Sequence, residues 1–211
     1  MKLYILFWKL SKGEIMFYKI MRALVRVIFL MLGMKSEGLD NIPNEGAVII
    51  AANHLSIWDP IVIGAAVQRP INFMAKAELF RNSLFAFILR HLNAFPVKRG
   101  SADRSALRNS LDLLNQGQVL GIFPEGTRNT DGLAKVQNGT AMIALKSGAP
   151  IVPVACIRTD KKIPFGWFRP LVVSIGNPIY MDEYAGKKIN SATLGEVSED
   201  IMKEINRLLC K

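Results

Sequence analysis

Short apolar runs recur along the chain at residues 47–52, 71–75, 94–98, 118–123, 151–157 and 171–175. Most are rich in Val, Ile or Phe and have the length of buried strands. Between them the apolar positions change to helical spacing, at residues 60–67, 78–92, 102–115 (ending at Gly117) and 139–146 (ending at Gly148). Residues 193–209 close the chain as an amphipathic helix. Such alternation predicts an α/β fold with a mixed, largely parallel sheet flanked by helices. Neither an internal repeat nor a low-complexity linker interrupts it, and 211 residues, half of them hydrophobic, suffice for one substantial core.

Residues 1–35 break this pattern. They carry Lys2, Lys9, Lys12, Lys19, Arg22, Arg26 and Lys35 against Glu14, which is more than half of the formal net charge of +10. At about 100° per residue, Lys12, Lys19, Arg22 and Arg26 fall within an arc of roughly 80°, and the remainder of the wheel is apolar. A basic stripe beside aromatics such as Tyr4, Trp8 and Phe17 predicts a helix lying in the plane of a membrane, drawn to anionic headgroups. The alternative is a helix packed on its own domain with a solvated basic face. No uncharged apolar stretch reaches the roughly 18 residues of a spanning helix, and the pattern is not that of a cleaved signal peptide. Gly38, Pro43 and Gly46 mark a boundary between this segment, 1–35, and a catalytic domain, 36–211.

A basic chain also invites nucleic acid as a partner, but these charges are not set in a helix-turn-helix, zinc or RNP pattern, so none is expected. Cys156 and Cys210 give no disulfide framework or metal site. Cys156, in an apolar run, is expected to be a buried small hydrophobe.

Chemistry first becomes visible in Asn53-His54-Leu55-Ser56-Ile57-Trp58-Asp59-Pro60. An imidazole and a carboxylate stand there with four residues between them, where a strand gives way to a helix. Open α/β sheets place their chemistry at that end of their strands. Pro60 disfavours helical geometry at Asp59 and suits the first helical position, which predicts Asp59 as the N-cap. His54 and Asp59 are therefore a candidate base and its orienter, or else a loop histidine and a cap. A second constellation, Phe123-Pro124-Glu125-Gly126-Thr127-Arg128, also follows a strand-like run. Gly126 permits a tight turn, and Glu125, Thr127 and Arg128 offer an acceptor, a hydroxyl and a forked cation for an anionic, hydroxyl-bearing substrate.

On these two blocks together the chain resembles the glycerolipid acyltransferases, and within them the bacterial 1-acylglycerol-3-phosphate acyltransferases. A second family block corresponds to Phe95-Pro96-Val97-Lys98-Arg99-Gly100, preceded by Lys76-Ala77-Glu78-Leu79, and a fourth to Ile151-Val152-Pro153-Val154. Order and rough spacing agree over about residues 47–156. One departure follows the third block: Lys135-Val136-Gln137-Asn138-Gly139 stands where such enzymes usually show an aromatic and then Lys-x-Gly.

The resemblance implies transfer of a fatty acyl group from a thioester to the sn-2 hydroxyl of lysophosphatidic acid, giving phosphatidic acid. Other acceptors in reach are glycerol 3-phosphate, another lysophospholipid or an acyl-ornithine-type amphiphile, and from a different class a lipid-binding protein without turnover. An acyl thioester is already activated, so no metal or other cofactor is expected; the donor is an acyl-CoA or an acyl-acyl carrier protein. His54 would take the hydroxyl proton and Asp59 would hold the imidazole, as in triad logic. Backbone N–H groups around His54 and the Glu125-Gly126 turn are candidate oxyanion donors. Arg99 and Arg128, with Lys76, are candidates for the acceptor phosphate. Ser56 is a weaker candidate nucleophile, because the chain lacks a Gly-x-Ser-x-Gly elbow. His91, late in a helix, suits its end. The aromatic and cationic loop 161–169 would either dip into a lipid interface or cover a sheet edge. The expected location is the cytoplasmic face of the inner membrane, as a peripheral protein.

Overall fold

The computed structural model describes residues 12–98, 103–127, 137–157, 171–184 and 186–210, and, within the first helix, the side chains of residues 16, 18 and 20–31. Apolar runs with no polar alternation demand cover on both faces, and they receive it. Strands β1 (Lys35–Glu37), β2 (Val48–Ala52), β3 (Ile71–Lys76), β4 (Ala94–Val97), β5 (Val119–Ile122), β6 (Ile151–Ile157) and β7 (Val172–Ile175) form a seven-stranded sheet in the order β1-β7-β6-β2-β5-β3-β4. All neighbouring pairs run parallel except β6 with β7. The mixed, largely parallel α/β architecture expected from the sequence is therefore present.

Helices α1 (Lys12–Met31), α2 (Asp59–Ala66), α3 (Ser83–His91), α4 (Arg104–Asn115), α5 (Gly139–Ser147) and α6 (Ser191–Leu209) complete the described fold. Two cores separate across the sheet. On one face Ile50, Ala52, Val152 and Val154 meet Val62, Ile63 and Ala66 of α2 and Phe29 of α1. On the other face Ile49, Ala51, Leu120 and Ile151 meet Leu113 and Leu114 of α4, Ala141 and Ala144 of α5, and Val197, Ile201 and Ile205 of α6. The central strand β2 is buried throughout and carries the chain directly to His54.

Three local readings change. Strand β1 has no apolar signal in Lys-Ser-Glu, and it straddles the expected division between residues 35 and 36; it is the sheet's edge, pairing with β7 from Lys35 opposite Val172. The helix expected over residues 78–92 divides into a 3-10 turn, Ala77–Arg81, and α3, because Asn82 turns to extended geometry and caps the second piece through its side chain. The expected basic stripe is not uniformly outward. Arg22 Nη1 donates to Val67 O at 2.5 Å, and Arg26 Nη1 donates to Ala66 O at 2.8 Å and Ala65 O at 3.2 Å. These carbonyls end α2, where the helix lacks internal donors and its dipole is negative, so two guanidinium groups satisfy both needs. The outward positions of α1 include Met16, Ile20, Leu24, Val27, Ile28 and Met31 instead. No described helix is long and apolar enough to cross a membrane.

Candidate active site

Beyond β2 the chain is held before it turns. Asn53 Nδ2 donates to Cys156 O at 3.0 Å, and Cys156 N–H donates to Asn53 Oδ1 at 2.7 Å. One amide side chain thus extends the β2–β6 pairing past the end of β2 and sets where His54 begins. Cys156 itself is buried, and burial pushes its thiol well above the ordinary range, which fits an inert packing role.

The next five residues wrap around one carboxylate. Asp59 Oδ2 accepts from Leu55 N–H and Ser56 N–H, each at 2.7 Å, and lies 2.9 Å from His54 Nδ1. Asp59 is fully buried and His54 is 8% exposed, so the pair is largely shielded from solvent. Since a carboxylate can only accept, Nδ1 carries the proton of this hydrogen bond. Asp59 is the first residue of α2 and Trp58 the N-cap, one position earlier than expected. The carboxylate is free to face the turn because it does not cap its own helix. Ser56 Oγ accepts from Trp58 N–H at 3.3 Å, a local turn contact.

Strand β5 brings the third block alongside. Ala51 pairs with Ile122, and continuing that register by three residues sets Glu125 level with His54. Gly126 makes the turn at φ +69°, its N–H donating to Phe123 O at 2.9 Å. Glu125 is buried, and desolvation pushes its carboxyl up to about 7; a backbone hydrogen bond with His54 opposes the shift, and the Asp59 charge adds to it. Asp59 Oδ1 and Glu125 Oε2 are buried without a hydrogen-bond partner among the described residues. The candidate oxyanion donors are largely committed elsewhere, Leu55 and Ser56 N–H to Asp59 and Gly126 N–H to Phe123.

A column of rings backs the imidazole. Phe123 stacks on His54 with centroids 4.2 Å apart and planes at 22°, and Phe73 of β3 lies 5.9 Å behind Phe123 at 13°. Phe123 stood in the third block without an assigned role, Asn53 stood beside His54, and Phe73 carried no sequence signal because it meets the site only across β5. Gly121 between them was likewise silent.

Of the remaining expected site residues, Thr127 is exposed after the turn. Lys76 ends β3 on the far side of β5, exposed and 3.6 Å from Glu78. Arg99, Arg128 and the loop 161–169 lie outside the described residues. His91 ends α3, with Nδ1 2.7 Å from Phe87 O.

Residues 33–157 match the family model described as Acyltransferase. The chain is 30% identical over 190 residues to the 1-acyl-sn-glycerol-3-phosphate acyltransferase of Bacillus subtilis (strain 168), covering 89% of this chain and 95% of that one. The enzyme of the same name from Streptococcus pneumoniae is 30% identical over 205 residues, 95% of this chain and 76% of its own. Among solved structures, the 1-acyl-sn-glycerophosphate (LPA) acyltransferase PlsC from Thermotoga maritima superposes with a TM-score of 0.71 at 29% identity, over 93% of this chain and 79% of that one. With an imidazole held by a buried carboxylate inside the matched span, this chain belongs to the Acyltransferase family.

Proposed function

We propose that this protein transfers a fatty acyl group from a thioester to the free hydroxyl of 1-acylglycerol 3-phosphate, producing phosphatidic acid. The observation that carries the reading is the His54–Asp59 pair, largely shielded from solvent, oriented and backed by Phe123 at the carboxyl edge of the sheet. His54 Nε2 takes the proton as the acceptor oxygen attacks the thioester carbonyl. Asp59 accepts from Nδ1–H throughout, which holds the ring and stabilises the imidazolium. The tetrahedral intermediate then expels the thiolate, and the imidazolium returns the proton to sulfur. Uncharged Glu125, whose carboxyl titrates near 7 in its buried site, can donate to an acceptor oxygen as well as accept from one.

Arg99 and Arg128 are assigned to the acceptor phosphate, since a guanidinium grips it with two parallel hydrogen bonds. Both acyl-CoA and acyl-acyl carrier protein are anionic donors that a chain of net charge +10 attracts. The apolar outward face of α1 supports peripheral association with a membrane, at the cytoplasmic side where such donors are made.

The test is thiol release from acyl-CoA by the full chain, with and without lysophosphatidic acid. Release that depends on the acceptor and disappears in folded His54→Ala supports the reading. Acceptor-independent release, or equal rates for the variant, would sink it.

A further inference from the structure

Helix α3 is inside out. Its start is well made, with Asn82 Oδ1 accepting from Leu84 N–H and Phe85 N–H at 3.0 and 3.2 Å. Yet Ala86 is the only residue of the helix that is buried. At about 100° per residue the face opposite Ala86 has Leu84 and Ile88 near its centre and Phe85 and Phe87 on its flanks. Those four are 65%, 44%, 57% and 58% exposed. Helix α4 has the ordinary arrangement, burying Ala106, Leu113 and Leu114 and turning Arg108, Asp112 and Asn115 to solvent.

Its place in the topology gives this face a meaning. The chain reaches α3 from the carboxyl end of β3 through exposed Leu79, and β3 is separated only by β5 from the strand that delivers His54. Exposed Ile57 lies at the same edge, inside the turn between His54 and Asp59. The end of α1, at exposed Met31, comes there too: it leads to Lys35, which is level through Val172 with Ile157 at the end of β6. Three segments remote in sequence therefore bring large apolar side chains to the carboxyl edge of the central strands, where His54 lies. Around α3 the charge is basic, with Lys76, Arg81, Arg90 and Lys98 in residues 76–98 against Glu78.

We propose that α3 is a membrane-contact element separate from α1, entering the headgroup region of an anionic bilayer through Leu84, Phe85, Phe87 and Ile88. The inference rests on the phosphatidic acid reading, because a diacylated product resides in a bilayer and the site must meet one. Aromatic and aliphatic side chains flanked by cations are what such an interface accepts. Four side chains of one short helix fall well below the roughly 1,200 Å² in total that a specific protein interface buries.

The experiment uses the full chain and vesicles of phosphatidylglycerol and phosphatidylethanolamine. With Cys210→Ser in the background, an environment-sensitive fluorophore on Leu84→Cys should shift to the blue when vesicles are added. Phe85→Ser with Phe87→Ser should weaken vesicle partition at least ten-fold at an unchanged thermal midpoint, with α1 intact. Turnover of monomeric short-chain lysophosphatidic acid without vesicles should stay as in the parent. No spectral shift and no loss of partition would overturn the proposal. So would a dimer in sedimentation velocity that the double substitution dissociates, which would give the face to a second copy of the chain. Partition is read without turnover, so a failure to acylate lysophosphatidic acid would show separately in the thiol assay.

Discussion

The ring of Phe73 occupies the space that a side chain on Gly121 would need: an ideal Cβ there would come within 2.4 Å of Phe73 Cε1 and 2.8 Å of Ile71 Cγ2. Glycine in the middle of a buried strand is poor for strand stability, and here it makes room for the first ring of the column that ends on His54. Gly121→Ala should cost about 1–3 kcal/mol by overpacking, and should lower kcat more than either KM as the column shifts. Trimming the ring in Gly121→Ala with Phe73→Leu should recover stability but not the full rate. Calorimetry and steady-state kinetics on the two variants check this, and an unimpaired Gly121→Ala enzyme would remove the column from the mechanism.

Asp59→Asn tests whether the carboxylate is more than a structural acceptor. The substitution keeps the shape but puts a donor where one oxygen now accepts from two N–H groups and the imidazole. Loss of the proper tautomer at His54 should lower kcat roughly 10³- to 10⁴-fold with modest change in KM. Circular dichroism at matched temperature establishes that the variant is folded. A loss under ten-fold would demote Asp59 to a turn residue.

Glu125 predicts a pH-dependent conflict between stability and function. Its folded carboxyl titrates near 7, above the ordinary 4.5, so between about pH 4.5 and 7 the native state holds a proton that the unfolded chain has released. Stability from this group therefore falls as pH rises through that window, and the full cost of the buried charge is present above about 7. Glu125→Gln should raise stability at pH 8 by up to about 3 kcal/mol, seen as a higher thermal midpoint, and leave it unchanged near pH 4. Acyl transfer should fall in the same variant. A midpoint gain that does not depend on pH would mean that burial of charge is not the cause.

Arg22 and Arg26 allow docking of α1 on α2 to be tested apart from the proposed adhesion of α1 to lipid. Each donates to carbonyls at the end of α2, and hydrogen bonds from charged donors contribute about 1.5–3 kcal/mol apiece in favourable settings. Replacing both by Ala should cost about 2–4 kcal/mol, since the sites are only partly buried, and lower the melting midpoint by several degrees. Vesicle binding at a temperature where the variant is folded should change little. A large drop there would restore both arginines to a headgroup-facing stripe.

The acceptor phosphate is the last test. Arg99→Ala and Arg128→Ala should each raise KM for lysophosphatidic acid well above any change in KM for the acyl thioester. Equal losses with an unphosphorylated acceptor would take both residues out of phosphate recognition.

Much of this protein was legible one residue at a time. Six of the strands and the alternation of layers follow from runs such as Val48–Ala52 and Ile151–Ile157, because an unbroken apolar strand has to be covered on both faces. His54 with Asp59 was legible because the whole device lies in one turn, where spacing is geometry. Strand β1 was not, since Lys-Ser-Glu gains strand form only by pairing with β7. Nor could spacing reveal that Arg22 and Arg26 end on the carbonyls of α2, that Asn53 ties His54 to Cys156, or that Phe73 backs Phe123 through the gap at Gly121. A wheel shows which residues share a face, but which face turns inward depends on the neighbour's unsatisfied groups. The sequence by itself determined the fold class and the His54–Asp59 pairing, both products of local pattern and local chemistry. Contacts between segments dozens of residues apart decided which cations dock a helix, which ring braces the imidazole and which apolar faces are left exposed, because only packing brings those groups together.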